Sequence, residues 1–161
     1  IPNFVRWALT GEPITIHGDG TQTRSFTWVG DVVWAMNALI NEPRASGQVF
    51  NIGNGQEISI RELATKIRQM TVSRSELIFK PYEQVFDNSF EDMPRRVPDI
   101  SKLRRLVGYE PCVHLDGILE STIRYWEGQL GSRVTAKAVR RAQRAHGFNR
   151  FEPAAIGWRS Y

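Results

Sequence analysis

The stretch that decides the fold is HGDGTQTRSFTWVGDVVWAMNALI, residues 17–40. Gly18-Asp19-Gly20 reads as a tight turn, because glycine accepts positive φ without steric penalty. TRSFTWV (23–29) is rich in β-branched and aromatic residues and reads as an extended run carrying Arg24. Asp31 stands where a helix N-cap belongs. Behind it, Val32, Val33, Ala35, Met36, Leu39 and Ile40 form the wide apolar face of a helix over 32–41, and Pro43 stops it. A turn, a stiff run and a buried helix within two dozen residues fix the aim of one guanidinium.

Working outward, residues 2–10 read as a helix with Pro2 in its first turn and Gly11 at its end. ITIH (14–17) follows as a short strand. Downstream, VFNIG (49–53) is an apolar run without alternation, the pattern of a strand buried on both faces. Ser59-Ile60-Arg61-Glu62 is a capping box opening a helix to about Met70, with Ile60, Leu63, Ala64 and Ile67 inward. ELIFKP (76–81) reads as a strand. Residues 82–98 read as a long acidic loop ending in Pro94-Arg95-Arg96-Val97-Pro98. Asp99 caps a helix over 100–107, closed by Gly108, and a last core helix covers about 115–129. Strands alternating with helices predict an α/β fold. The sheet is too small for a complete doubly wound domain. The pieces fit the last strand and helices of one, interleaved with a smaller lobe.

The 161 residues are 41% hydrophobic and 24% charged, an ordinary balance for a soluble globular chain. No apolar run reaches the ~20 residues that cross a bilayer, and IPNFVRWALTG has neither the basic nor the apolar region of a signal peptide. The chain opens at Ile1 already inside an amphipathic pattern, so it is expected to be a piece of a longer fold. One cysteine, Cys112, excludes an internal disulfide and offers no zinc spacing, which predicts a reducing, cytoplasmic location and no metal. Charge is uneven. Residues 1–130 carry 14 Lys+Arg against 16 Asp+Glu, a net of −2, whereas residues 131–161 carry 7 Lys+Arg against Glu152, a net of +6. The body is therefore expected to end near residue 130. The tail, with Lys137, Arg140, Arg141 and Arg144 on an alanine-rich helix, is expected to be a solvated appendage that becomes irregular further on. A phosphate-neutralising stripe is the competing reading, but the helix lacks interleaved aromatics, and nucleic acid is not an expected partner.

Few residues carry chemistry by themselves. Arg24 on a stiff run offers the planar donor fork that suits a phosphate or carboxylate, or it makes a surface salt bridge beside a hairpin turn. Arg95 and Arg96, flanked by prolines, are either a second cationic contact on a dianion or a solvated pair attracted to Glu91 and Asp92. Asn51 interrupts an apolar run and either satisfies a neighbouring backbone group or faces a ligand. Gly53-Asn54-Gly55 fails the dinucleotide fingerprint, because Ile58 occupies the third glycine position. Tyr82, Tyr109 and Tyr125 each lack a lysine four residues on. His17, His114 and His146 show no ligand or nucleophile spacing, and Glu83, Asp87, Glu91 and Asp92 read as a solvated acidic face. No catalytic residue is assigned.

IPNFVRWALTGEPITIHGDGTQTRSFTWVGD, VFNIGNGQEISIRELA and PRRVPDISKLRRLVGYEP, in that order, resemble the C-terminal half of the extended short-chain dehydrogenase/reductases. Within these, the chain looks like the NAD-dependent nucleotide-sugar epimerase/dehydratase group over about residues 1–128. The resemblance implies a bilobal fold in which a Rossmann domain holds NAD and a smaller lobe holds the nucleoside-diphosphate part of a sugar nucleotide, with the cofactor carrying the hydride chemistry. It implies a UDP- or dTDP-sugar ligand and, commonly in the family, a homodimer. It places Arg24 at a contact to the nucleotide diphosphate, Asn51 at a polar substrate-side position, and Arg95 or Arg96 at a further substrate contact. The family's glycine-rich NAD loop and Tyr-x-x-x-Lys pair are absent, so this chain is expected to bind no NAD and perform no hydride step without the missing Rossmann half in cis or trans. Ser25, where many members have Asp, resembles the UDP-glucuronate decarboxylases. The alternative is a non-catalytic binding or interaction module, or the remnant of a split gene.

Overall fold

The computed structural model describes residues 1–82 and 93–146, and from residue 132 onward by the backbone alone. The chain divides into two compact units, Ile1–Trp126 and Glu127–Tyr161. The described part of the second is helical to His146.

In the first unit, α1 (Pro2–Thr10) ends on Gly11 in the left-handed conformation at φ 74°. β1 (Ile14–His17) follows, then β2 (Thr23–Arg24), α2 (Val29–Ile40) and a 3-10 turn at Pro43–Ala45. β3 (Ile58–Ser59) leads into α3 (Ile60–Met70), whose expected capping box is present in full: Ser59 Oγ accepts from the Glu62 amide, and the Glu62 carboxylate accepts from the Ser59 amide. β4 (Leu77–Lys80), β5 (Arg95–Arg96), α4 (Ser101–Val107) and α5 (Leu115–His146) complete the order. β1 and β4 pair in parallel, Ile14 opposite Leu77 through His17 opposite Lys80. β3, β2 and β5 form a second small sheet in that spatial order. This is the expected α/β class.

Two cores hold the unit together. Val5 and Ala8 of α1, Ile14 and Ile16 of β1, Leu63, Ala64 and Ile67 of α3, and Leu119 and Ile123 of α5 bury one another. Ile14 and Ile16 alternate inward with the two-residue period of a strand, and the α3 residues recur at helical spacing. The second core joins Ala35 of α2 to Ile100, Leu103 of α4 and Tyr109, with Leu39, Phe50 and Ile52 packed on it.

Several elements differ from the reading of the sequence. α2 begins at Val29, so Asp31 is not its cap but lies buried in its first turn. There its Oδ2 accepts from the amides of Cys112 at 3.2 Å and Val113 at 3.3 Å. Of the apolar face expected inward, only Ala35 is fully buried; Val33, Met36 and Ile40 are more than half exposed, because α4 and residues 49–53 cover one side of a helix that is apolar nearly all round. Residues 49–53 form no strand, since among the described residues no second strand lies beside them. The extended run 23–29 is a strand only at Thr23–Arg24, where β3 and β5 flank it. The segment read as loop over 82–98 carries a strand at Arg95–Arg96; residues 83–92, including the acidic group at 83, 87, 91 and 92, lie outside the described residues. The last helix does not stop near 129 but runs to His146, through a sequence without proline.

Candidate functional site

The small sheet positions the arginines. β2 is its middle strand, with Thr23 opposite Ser59 and Arg24 opposite Ile58 on β3. On the other side β5 runs parallel, with Thr23 opposite Arg95 and Arg24 opposite Arg96. Side chains alternate along a strand, and cross-strand partners share a face. Arg24 and Arg96 therefore lie on one face, Thr23 and Arg95 on the other. The structure separates the two adjacent arginines that the sequence left joined.

On the Thr23 face, the Glu57 carboxylate accepts from Thr23 Oγ1 and from Arg95 Nε, both at 2.9 Å, and from Arg95 Nη2. Hydrogen bonding to Arg95 and Thr23 holds the Glu57 carboxyl below its usual range, and the same contact raises Arg95 further. Arg95 is committed to a carboxylate of its own chain. Arg96 is exposed, and among the described residues no side-chain hydrogen bond or ion pair engages it. Arg24 is half-buried, and its Nη1 donates to the carbonyls of Thr23 at 2.7 Å and Met93 at 2.9 Å. Two guanidinium groups opposite one another on neighbouring strands repel unless an anion lies between them.

Arg24 also lines a cavity of about 430 Å³ whose walls include Phe4 and Trp7 from α1, His17 from β1, Gln22 and Tyr82. Gln22 organises this wall: its Nε2 donates to the His17 carbonyl at 2.8 Å and to the Tyr82 hydroxyl at 2.9 Å. Gly18, at φ 73°, lets the Tyr82 ring pass where a Cβ would stand, 2.5 Å away. Aromatic walls with a few converging polar groups are the usual make-up of a small-molecule site. Arg95, Arg96 and Asn51 are not among the lining residues. Asn51 is exposed, and its Nδ2 donates to the Asp99 carbonyl at 3.2 Å.

Gln22, Glu57 and the wall residue Tyr82 were not singled out as site residues from the sequence. Gln22 had a signal, two residues before Arg24. Glu57 and Tyr82 had none, because their partners lie 34 to 60 residues away along the chain. Among the described residues there is no group of three metal-ligating side chains, and no helix long and apolar enough to cross a membrane.

A family model described as GDP-mannose 4,6 dehydratase matches residues 1–122. The chain belongs to this family. Its members are nucleotide-sugar enzymes of the extended short-chain dehydrogenase/reductases, and the relatives include decarboxylases and epimerases. Over 126 residues the chain is 40% identical to the UDP-N-acetyl-alpha-D-glucosaminuronate decarboxylase of Bacillus cytotoxicus, which covers 78% of this chain and 39% of the relative. An epimerase of Methanothermobacter thermautotrophicus superposes with TM-score 0.72 at 32% identity, over 84% of this chain and 38% of that one. The UDP-glucuronic acid 4-epimerase of Bacillus cereus, solved with UDP-glucuronic acid and NAD, superposes with TM-score 0.70 at 27% identity, over 79% and 39%. The chain thus spans about two fifths of the length of these relatives.

The N-terminus of α3 is not free for a dinucleotide pyrophosphate. A pyrophosphate needs free amides at a helix N-terminus. The first amides of α3 are spent on the carbonyls of Gln22 and Gly20 and on Ser59 Oγ, and Glu62 adds negative charge there. α2 carries the buried Asp31 in its first turn.

Proposed function

We propose that this chain binds the nucleoside-diphosphate part of a sugar nucleotide, as the C-terminal portion of an NAD-dependent nucleotide-sugar epimerase, dehydratase or decarboxylase. One observation carries the reading: Arg24 and Arg96 are cross-strand neighbours on one face, with Arg24 at the wall of an aromatic-lined cavity. A dianionic diphosphate relieves their mutual repulsion and accepts charge-assisted hydrogen bonds from both. The aromatic walls take the base. Arg95 is the strut that fixes β5 through Glu57, and Asn51 serves the loop before α4 through Asp99 rather than the ligand. Binding energy gathered here, away from the reacting carbon, positions the sugar for chemistry done elsewhere. The chain alone holds no NAD.

A decarboxylase-type member acting on a UDP-hexuronate is the finer reading. Ser25 after Arg24 and the 40% identity to a UDP-sugar decarboxylase favour it.

Calorimetric titration with UDP at low ionic strength tests the site. Arg24→Ala and Arg96→Ala are each expected to weaken binding at least tenfold, as loss of a charge-assisted hydrogen bond implies. Arg95→Ala is expected to stay within about threefold. An Arg24→Ala protein with an unchanged circular dichroism spectrum and unchanged affinity would remove Arg24 from the site. Loss confined to Arg95→Ala would exchange the roles of the two neighbours.

A further inference from the structure

Asp31 is a carboxylate engaged through one oxygen only. Its Oδ2 accepts from the amides of Cys112 and Val113, and the residue is 8% exposed. Its Oδ1 accepts from no donor among the described residues, and no lysine, arginine or histidine among them pairs with it. Neutral amides orient a carboxylate and leave its charge in place, and a buried charge without a counter-ion is costly. Among the described residues, every side-chain oxygen sealed from solvent has a partner, so Oδ1 is reached from outside.

The way in is a cavity of about 440 Å³ between the start of α2 and residues 108–113. It shares no lining residue with the cavity of Arg24. Trp28, Trp34 and Tyr109 line it, with Asp31 and Glu110 as its charged members and no basic side chain. Glu110 is already neutralised: Arg104 Nε lies 2.6 Å from its Oε1, and Nη2 donates to Oε2 at 2.8 Å. The uncompensated charge on the wall is therefore that of Asp31. The rings of Trp34 and Tyr109 are 6.2 Å apart and tilted by 31°. The Trp28 indole lies across residue 30, where a Cβ would stand 2.7 Å from its Nε1, so glycine at this place is what brings the ring to the helix start.

We propose that this cavity binds the primary ammonium of a small amine with an apolar body, the nitrogen donating to Asp31 Oδ1 and the body lying among Trp28, Trp34 and Tyr109. Aromatic rings and a carboxylate both attract a cation, most strongly where water is excluded. Only one carboxylate oxygen is open. The two-oxygen grip that suits a guanidinium is therefore not on offer, whereas an ammonium is served by a single acceptor. The volume is that of a small-molecule site and exceeds what one inserted lysine side chain would fill. Asp31 repels an anionic sugar nucleotide, so the proposal stands apart from the function proposed for the Arg24 cavity.

The test titrates the full chain with phenethylammonium and follows the indole N–H resonances of Trp28 and Trp34. Saturation is expected with a Kd of about 1 mM or below. Phenethyl alcohol, which lacks the charge, should bind about tenfold more weakly, and phenylacetate, of opposite charge, should not bind at about 10 mM. Asp31→Asn keeps an oxygen for the two amides while removing the charge, and it should weaken the amine about tenfold. Trp34→Ala removes a half-exposed ring and should weaken it about fivefold. Cys112, the single cysteine of the chain, is exposed and lines the same cavity, so it reports occupancy chemically. With the amine at about ten times its Kd, alkylation of Cys112 by iodoacetamide should slow about tenfold, by mass action. Should Asp31→Asn lose its folded circular dichroism spectrum, the amine, alcohol and acid series decides together with Trp34→Ala. Equal affinity for amine and alcohol, no saturation, Cys112 alkylated at an unchanged rate, or a folded Asp31→Asn or Trp34→Ala with parental affinity would each overturn the proposal.

Discussion

At Gly18 two requirements meet in one residue. Its φ of 73° belongs to the left-handed region, and the Tyr82 ring lies 2.5 Å from where a Cβ would stand. Gly18→Ala is expected to cost about 1–3 kcal/mol in urea denaturation, through backbone strain and overpacking. It should also weaken UDP binding, because the displaced ring is a wall of the cavity. Val72 is the converse. It holds φ 49° at 89% exposure, a β-branched residue in a conformation that serves no packing. Val72→Asn is expected to stabilise by about 1 kcal/mol and raise Tm by a few degrees; a lower Tm would mean that the Val72 side chain is held by contacts worth more than its strain. The sequence made Arg24 legible, because a turn and an extended run surround it. It could not choose between Arg95 and Arg96. A one-residue slip in register moves a side chain to the opposite face, and the register is set by pairing between segments some 70 residues apart.

Among the elements, those defined by local chemistry were legible. α1 has its proline and its left-handed glycine, α3 has its capping box, and β1 has its alternation. Those defined by a neighbour were not. β5 exists because β2 lies beside it, and residues 49–53 fail to be a strand because no strand among the described residues does. Asp31 looked like a cap, yet its carboxylate serves amides 81 and 82 residues away. The β2–β5 pairing is tied on one face by Glu57, whose folded pKa lies below its ordinary 4.5 through Arg95 and then Thr23. A depressed carboxyl contributes stability that is fully present above the unfolded value and lost as pH falls through the folded one. Below pH 4.5, melting temperature should therefore fall more steeply in the parent than in Glu57→Gln, with the two slopes alike above pH 6. Parallel slopes throughout would show that the Glu57–Arg95 contact is screened away in solution.

At the scale of the first unit, the two cores are unequally closed. The core around β1 is covered by α1, α3 and α5, whereas the core around Ala35 is backed by a helix whose other side meets solvent. Val33 and Ile40, at 59 and 80% exposure, gain little from folding, because burial contributes only for area removed from water. Replacing both by lysine should therefore leave Tm within the shift expected for about 0.5 kcal/mol per site. The same change breaks the apolar line that would otherwise bind dye or another molecule. The expected outcome for Val33→Lys/Ile40→Lys is reduced fluorescence enhancement of a hydrophobic dye, a higher concentration limit before aggregation, and UDP binding equal to the parent, since neither residue lines the Arg24 cavity. A Tm lowered by 5 °C or more, with dye binding unchanged, would show that these side chains are already packed against something in the isolated chain. The open face of α2 would then be closed by self-association.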